Sequence, residues 1–324
     1  MTKLLIWIAR TESMIHMKKI FITFGDGDAN LVASAKRLKE QVKKTTYFDE
    51  VIVANLSYIK KNCPIEYDRN INFIQNNKRG LGYWIWKPIL IKHCLQIFDE
   101  GDFIFYADSG CEIGINTKRH FKFLETLACT HGGVFFELPY PEEMWTKADL
   151  FGQFSSDKSA SYFGNQVQAT YFILINNKKS QSLVENWYSI CIKNNYHYLN
   201  DENSLQKNHE SFVEHRHDQS ILSCLVKINK FYIYPFCYYF LPEYYFKGSP
   251  VLKYFVHQLR NKTGESMINE KASFNPSDSF KKIFFIKYYM GKLSLKIFLL
   301  RSQFGVNILN LYFYTKRKLI RSKN

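Results

Sequence analysis

The chain has 324 residues, 46% of them hydrophobic and 17% aromatic, which gives it the apolar surface for a large core and excludes a disordered protein. Its formal charge of +15 is uneven: residues 280–324 hold eleven Lys and Arg and no acid, leaving 33 basic against 29 acidic residues in 1–279, a body too mildly basic for a general nucleic-acid binder. The seven cysteines form no Cys-x-x-Cys pair and sit mostly in apolar runs, so they read as reduced, buried thiols, and no stretch reaches the roughly 18–20 apolar residues of a spanning helix.

Residues 1–16 read as an N-terminal extension, because the apolar run 4–9 is too short for a signal-peptide core and Met17 directly precedes a convincing first strand. Residues 18–28 are an apolar run ending in Gly and Asp, a buried strand with its turn. Residues 29–44 place Leu31, Ala35, Leu38 and Val42 on one helical face, and 49–56 is a second strand. The stretch 57–82 is polar and Asn-rich, with no clear period. Residues 84–98 read as a helix with Pro88 in its first turn, where proline is tolerated. A third strand covers 102–108, a helix lies around 117–129, and a strand covers 132–138. A polar-aromatic loop region spans 139–164. The second half reads as a strand over 166–177, a helix over 178–194, a polar stretch over 195–215, a helix over 216–228 and a strand or strand pair over 230–240.

Strands alternating with helices predict an α/β fold, a Rossmann-like, mostly parallel sheet flanked by helices. Such sheets bind ligands outside the carboxyl ends of their strands. Gly25-Asp26-Gly27 and Asp108-Ser109-Gly110 therefore share one rim.

Four constellations carry candidate chemistry. Asp108 leaves an apolar strand at that rim, where a carboxylate either holds a hard divalent cation or caps the next turn; Ser109 and Gly110 suit a turn, and Gly110 also admits a ligand to the backbone. Arg79 to Lys87 joins two cations, two glycines, Tyr83, Trp84 and Trp86 at a helix start, which is either a phosphate site with stacking rings or a packed core with a solvated lysine. Asp218 and Gln219 open an apolar helix beside His215 and His217; Asp caps helices well, and two histidines alone do not make a metal site. His257 precedes Arg260, Asn261, Lys262, Thr263 and Gly264, a phosphate-friendly group, although an isolated histidine after apolar residues is ordinarily a core residue.

The runs RGLGYWIWKP, GDFIFYADSGCEI, HRHDQSILS and HQLRNKTG resemble bacterial surface-polysaccharide glycosyltransferases with a GT-A-type fold, a lipopolysaccharide- or capsule-associated group from Helicobacter and Campylobacter relatives. The resemblance covers about residues 17–265. It implies a nucleotide-sugar donor, a glycan or lipid-linked glycan acceptor, and a Mn²⁺ or Mg²⁺ ion held by an Asp-x-Asp motif. Asp108 matches the first Asp of that motif and Gly110 replaces the second; Glu112, two residues further on, either helps to hold the ion or points away. The resemblance further implies that Asp218-Gln219 lies near the transferred sugar, that His257 is a late metal ligand, and that Thr23, Phe24 and Gly25 surround the base and ribose. Arg79, Tyr83, Trp86, Lys87, Ser109, Gly110, Arg260 and Lys262 complete the expected donor site. The leaving diphosphate needs neutralising by a metal, by Lys87 or by Arg260 and Lys262. Asp218 is the candidate base of an inverting enzyme, or sits beside the sugar in a retaining one.

Residues 266–324 read as a basic helical C-terminal region. Lys281, Lys282, Lys292 and Lys296 fall within roughly 100° on a helical wheel, while Lys287 and Arg301 do not. Basic residues mixed with bulky apolar ones fit an anchor on an anionic membrane surface, which implies a cytoplasmic protein peripheral on the inner face of the membrane; a helical cap on the catalytic domain is the alternative. The aromatic run 231–246 either lines an acceptor cleft or is core strand. A phospho-group transferase acting on a surface glycan, and a non-catalytic basic binding protein, are the competing functions.

Overall fold

The computed structural model describes residues 17–114, 118–154, 164–235 and 256–268. The extension 1–16, the run 236–255 and the basic tail lie outside the described residues.

The first half follows the alternation expected. Strand β1 (Lys19–Phe24) leads into α1 (Ala29–Thr45), whose N-cap Asp28 accepts from the Leu31 amide at 2.8 Å. Strand β2 (Glu50–Ala54) follows. The polar stretch 57–82 contains two helices that no clear period announces, α2 (Leu56–Asn62), capped by the Asn55 side chain, and α3 (Pro64–Asn76), with proline in its first turn. Their pattern is faint because α3 buries only Asn70 and Ile74. Next come α4 (Trp86–Ile97), β3 (Phe103–Ala107), the short β4 (Glu112–Ile113), α5 (Lys118–His131) and β5 (Gly133–Pro141).

The expected single strand 166–177 is two strands, β6 (Asn165–Val167) and β7 (Tyr171–Ile175), separated by Gln168-Ala169-Thr170. Helices α6 (Lys178–Tyr196) and α7 (His217–Ile228), then β8 (Tyr232–Tyr234) and β9 (Val256–His257), complete the described chain.

The main sheet has the order β2-β1-β3-β7-β5-β6, with β8 also on β5. Strands β1, β2, β3, β5 and β8 run one way, and β6 and β7 run against them. The sheet is thus mostly parallel, as predicted, with helices on both faces. Successive residues of β1 face opposite layers: Ile20, Ile22 and Phe24 join a core with residues of α4, α6 and α7, and Phe21 joins one with Leu38 of α1 and Phe121 of α5. Ile22 pairs with Tyr106 in the parallel ladder, and the same register sets Phe24 level with Asp108. Among the described residues no helix is long and apolar enough to cross a membrane.

Candidate functional site

The site is built on an unusual backbone. Gly80, Leu81, Gly82, Tyr83 and Trp84 all have positive φ, between 52° and 79°, so the chain makes a left-handed turn before it enters α4. Each non-glycine residue there costs about 1–2 kcal/mol. Packing offsets that cost. A Cβ on Gly80 would come within 2.5 Å of the Trp84 ring, and one on Gly82 within 3.0 Å of Ile74 Cα, so both glycines admit close neighbours. Trp86 Nε1 donates to Gly80 O at 2.9 Å, and its ring stacks on Phe24 at 3.7 Å between centroids. With Trp86 held against β1, the next residue, Lys87, is driven into the sheet instead of into solvent.

Lys87 is 2% exposed. Its ammonium lies 3.2 Å from Asp108 Oδ1 and 3.3 Å from Asp218 Oδ2, and donates to Ala169 O at 3.1 Å. Asp218 Oδ2 is buried and within ion-pair distance of the ammonium, yet it makes no hydrogen bond. The Tyr106 hydroxyl donates to the same Asp108 oxygen at 2.6 Å. Lys87 also stands over the rings of Tyr106 and Trp86, at 5.2 and 5.7 Å from their centroids. The break between β6 and β7 supplies the carbonyl acceptor: Gln168 N donates to Phe136 O and Asp108 N to Thr170 O, which leaves the Ala169 carbonyl to Lys87.

Asp218 arrives from the first turn of α7. His217 before it has φ 53° and packs on the Tyr83 ring at 4.6 Å. Its Nδ1 donates to Leu199 O, which can only accept, and burial holds the ring neutral by lowering its pKa to about 4. His215 donates through Nε2 to Tyr198 O and accepts from the Lys147 amide through Nδ1, so the His-x-His pair fastens backbone. Gln219 accepts from Ala169 N and donates to Gln166 Oε1, steadying the strand break. Burial raises the Asp218 carboxyl to about 6; Lys87 pulls it down and Asp108 pushes it up. Burial pulls the Lys87 ammonium down, yet the two carboxylates together hold it above its ordinary value. One cation shared between two anions leaves the triad one negative charge in excess.

A strap, residues 256–268, borders this centre. Glu112, fully buried, accepts from Gln41, Asn261 and Ser266 side chains and from the amides of Met267 and Ile268. Burial works against its charge, but these bonds outweigh burial and lower its pKa. Arg37 donates to Ser109 O and Cys111 O at 2.9 Å and to the carbonyls of Asn261 and Thr263, joining strap to rim. Asn261 N donates to Gly110 O, and a Cβ on Gly110 would lie 3.3 Å from Arg260 Cα. A side chain at Gly110 would therefore press on the strap backbone. Arg260 and Lys262 are exposed on it.

The predicted residues thus divide. Lys87, Asp108 and Asp218 meet, and Gly110 and Ser109 adjoin Arg260 and Lys262 through the strap. Thr23 sits at the same rim with a fully buried hydroxyl that lacks a hydrogen-bond partner. Phe24 is the stacking partner of Trp86. Gly25 is required by packing, since a Cβ would meet the Ala35 methyl at 2.5 Å. Arg79 is exposed and paired with Asp201 and Glu214 at 3.3 and 3.4 Å. Tyr106, Ala169 and Arg37 were not anticipated; Tyr106, two residues before Asp108 on one strand face, was the one with a local signal.

A divalent cation, implied by the Asp-x-Asp resemblance, fits this donor set poorly. Asp108 Oδ1 is committed to Tyr106 and Lys87, Gly110 offers no side chain, and Glu112 is engaged with the strap. His257 is buried on β9 opposite Glu112. Among the described residues no group of three or more His, Cys, Asp or Glu side chains assembles as a metal site.

No protein-family model and no curated protein matches the chain. Among solved structures it is similar to mouse xyloside xylosyltransferase 1 in its apo form, with 12% identity over 68% of this chain and 84% of that one and a TM-score of 0.37. It is also similar to a glycosyltransferase involved in glycosylation of the major capsid of PBCV-1, with 9% identity over 79% and 97% of the two chains and a TM-score of 0.36. Scores of this size leave function to be argued from the site itself.

Proposed function

We propose that the chain is a nucleotide-sugar-dependent glycosyltransferase that acts on a lipopolysaccharide or capsule glycan. The observation that carries the reading is the convergence of Asp108 and Asp218 on one buried ammonium at the carboxyl end of β3, beside a strap bearing two exposed cations. A sugar diphosphate needs both halves of that arrangement: cations for the leaving diphosphate, and carboxylates for the sugar, whose ring becomes positive as the bond breaks.

In this reading Arg260 and Lys262 take the diphosphate. Asp108, a third exposed, presents its outer edge to the donor. Asp218 is the group at the reacting sugar, as base toward the acceptor hydroxyl in an inverting reaction or as a flanking carboxylate in a retaining one. The bond from the anomeric carbon to the diphosphate oxygen breaks, that carbon bonds to the acceptor oxygen, and the acceptor proton leaves to a base. The basic tail, residues 280–324, attaches the enzyme to anionic lipid on the cytoplasmic membrane face, where lipid-linked acceptors lie. Unchanged liposome binding after deletion of 280–324 would remove that attachment from the proposal.

The test of the activity is a thermal-shift and turnover screen of UDP-, GDP- and CMP-sugars. One nucleotide class is expected to stabilise the protein and to be turned over. Asp218→Asn is expected to keep the shift while losing about a hundredfold or more in turnover. A chain that neither binds nor turns over any of them is not a nucleotide-sugar transferase.

A further inference from the structure

Resting on the glycosyl-transfer reading, we propose that the centre works without a divalent cation and that Lys87 is the cation around which it is built. In an Asp-x-Asp site two carboxylates converge on an ion. Here two carboxylates also converge on one cation, but it is covalent: Asp108 from the end of β3 and Asp218 from the start of α7 each reach Lys87 Nζ within 3.3 Å. An ion bridging the same two oxygens would have to displace that ammonium. An ion beside it would share with that ammonium the same two carboxylates, which already face Lys87.

The remaining oxygens do not rescue a metal. Oδ2 of Asp108 is a single hard ligand, and the residue two positions on is Gly110, which has no side chain to offer and packs closely on the strap backbone. Glu112 has five donors on its two oxygens. Without an ion, the two strap cations, Arg260 and Lys262, match the two negative charges of a sugar-nucleotide diphosphate, and Lys87 offsets one of the two carboxylates beside them. Lys87 is buried and ion-paired with both carboxylates, which leaves the diphosphate to the exposed strap cations. It acts by holding the two carboxylates together and by favouring the ionised form of Asp218, while the strap cations meet the diphosphate.

The test uses the full-length chain, stripped with chelator, and Mn²⁺ alone as the first probe. Calorimetric titration of the wild type is expected to show no saturable Mn²⁺ binding. Lys87→Ala vacates a place between two carboxylates and is expected to acquire Mn²⁺ binding, which a second substitution, Asp218→Asn, removes again. Donor turnover by the wild type is expected to agree within about twofold in EDTA and in Mn²⁺, whereas Lys87→Ala loses about tenfold or more in EDTA and regains part with Mn²⁺. Saturable wild-type Mn²⁺ binding that Asp108→Asn abolishes would overturn the proposal. So would wild-type turnover that falls about tenfold in EDTA and returns with Mn²⁺. If Lys87→Ala does not fold, the two wild-type measurements still decide. If no nucleotide sugar is turned over, the transferase reading fails, while the Mn²⁺ titration continues to judge the role of Lys87.

Discussion

Replacing Lys87 by Met keeps most of the side-chain volume and removes the charge, and its cost should depend on pH in a direction the site fixes. In the wild type, burial raises the Asp218 carboxyl to about 6 from an ordinary value of 3.8. A carboxyl raised in the folded state binds more protons than in the unfolded chain, so its ionisation lowers stability as pH climbs from the unfolded value to about 6. At about 1.4 kcal/mol per unit, that amounts to about 3 kcal/mol at neutral pH. Lys87 is what keeps the value from going higher. Without it the folded carboxyl titrates above 6, and stability goes on falling where the wild type has levelled off. Near pH 5 Asp218 is largely protonated in both proteins and its share largely cancels; near pH 8 the variant should be worse by roughly a further 2–3 kcal/mol. Loss of the Lys87–Asp108 pair adds a part present at both pH values. Urea unfolding of both proteins near pH 5 and near pH 8 measures the difference. A loss of the same size at both would refute the reasoning, because it would mean that Lys87 does not set the ionisation of Asp218.

The same coupling predicts that donor turnover rises with pH through about 6 and that Lys87→Met moves this acid limb upward, as a pH–rate profile will report. Changing both Arg260 and Lys262 to Ala should raise the KM for the nucleotide sugar about tenfold or more with a smaller effect on kcat, and should flatten its salt dependence in steady-state assays. Gly82→Ala should destabilise by about 2–3 kcal/mol in urea unfolding, because it adds a side chain at φ 79° with Ile74 Cα 3.0 Å away. Glu112 has a lowered folded pKa, so its contribution is present above the ordinary value of 4.5 and lost as pH falls through the folded one; hydrogen exchange should show residues 256–268 opening in acid before the main sheet does, and Glu112→Gln should open them at neutral pH.

What was legible in the sequence follows from the range over which each feature is encoded. Strand β3 and its rim could be read because FIFYA is continuous and apolar and Asp108-Ser109-Gly110 ends it. The start of α4 could be read because Pro88 marks a first turn. The left-handed turn could not, because two glycines account for only two of its five positive-φ residues; the other three are held by Trp84 over Gly80 and by Trp86 against Phe24. The break at Gln168-Ala169-Thr170 was hidden because the flanking residues favour strands throughout, and what ends β6 is the pull of Phe136, Asp108 and Gln219, all distant in the chain. Glu112 was weighed as a metal neighbour on spacing alone, and its strap partners lie about 150 residues further on.

Lys87 is the case in which the sequence held a clue whose meaning needed the fold. A lysine in the first turn of a helix opposes the helix dipole, an unfavourable choice for an exposed side chain. Burying it is worse still, unless anions are waiting. The sheet supplies one from the end of β3 and α7 supplies the other, yet the arrangement is not a stabilising one on balance. A single ammonium is shared by two carboxylates, and Asp218 stays raised, first by its burial and then by Asp108, in spite of Lys87. Apolar residues of similar volume would pack the same space without buried charges, and such replacements are often neutral or stabilising. A chain that keeps a strained turn, a buried ammonium and an under-compensated carboxylate at one strand end is giving up stability in three ways at one place. That concentration is the physical ground for locating the chemistry there.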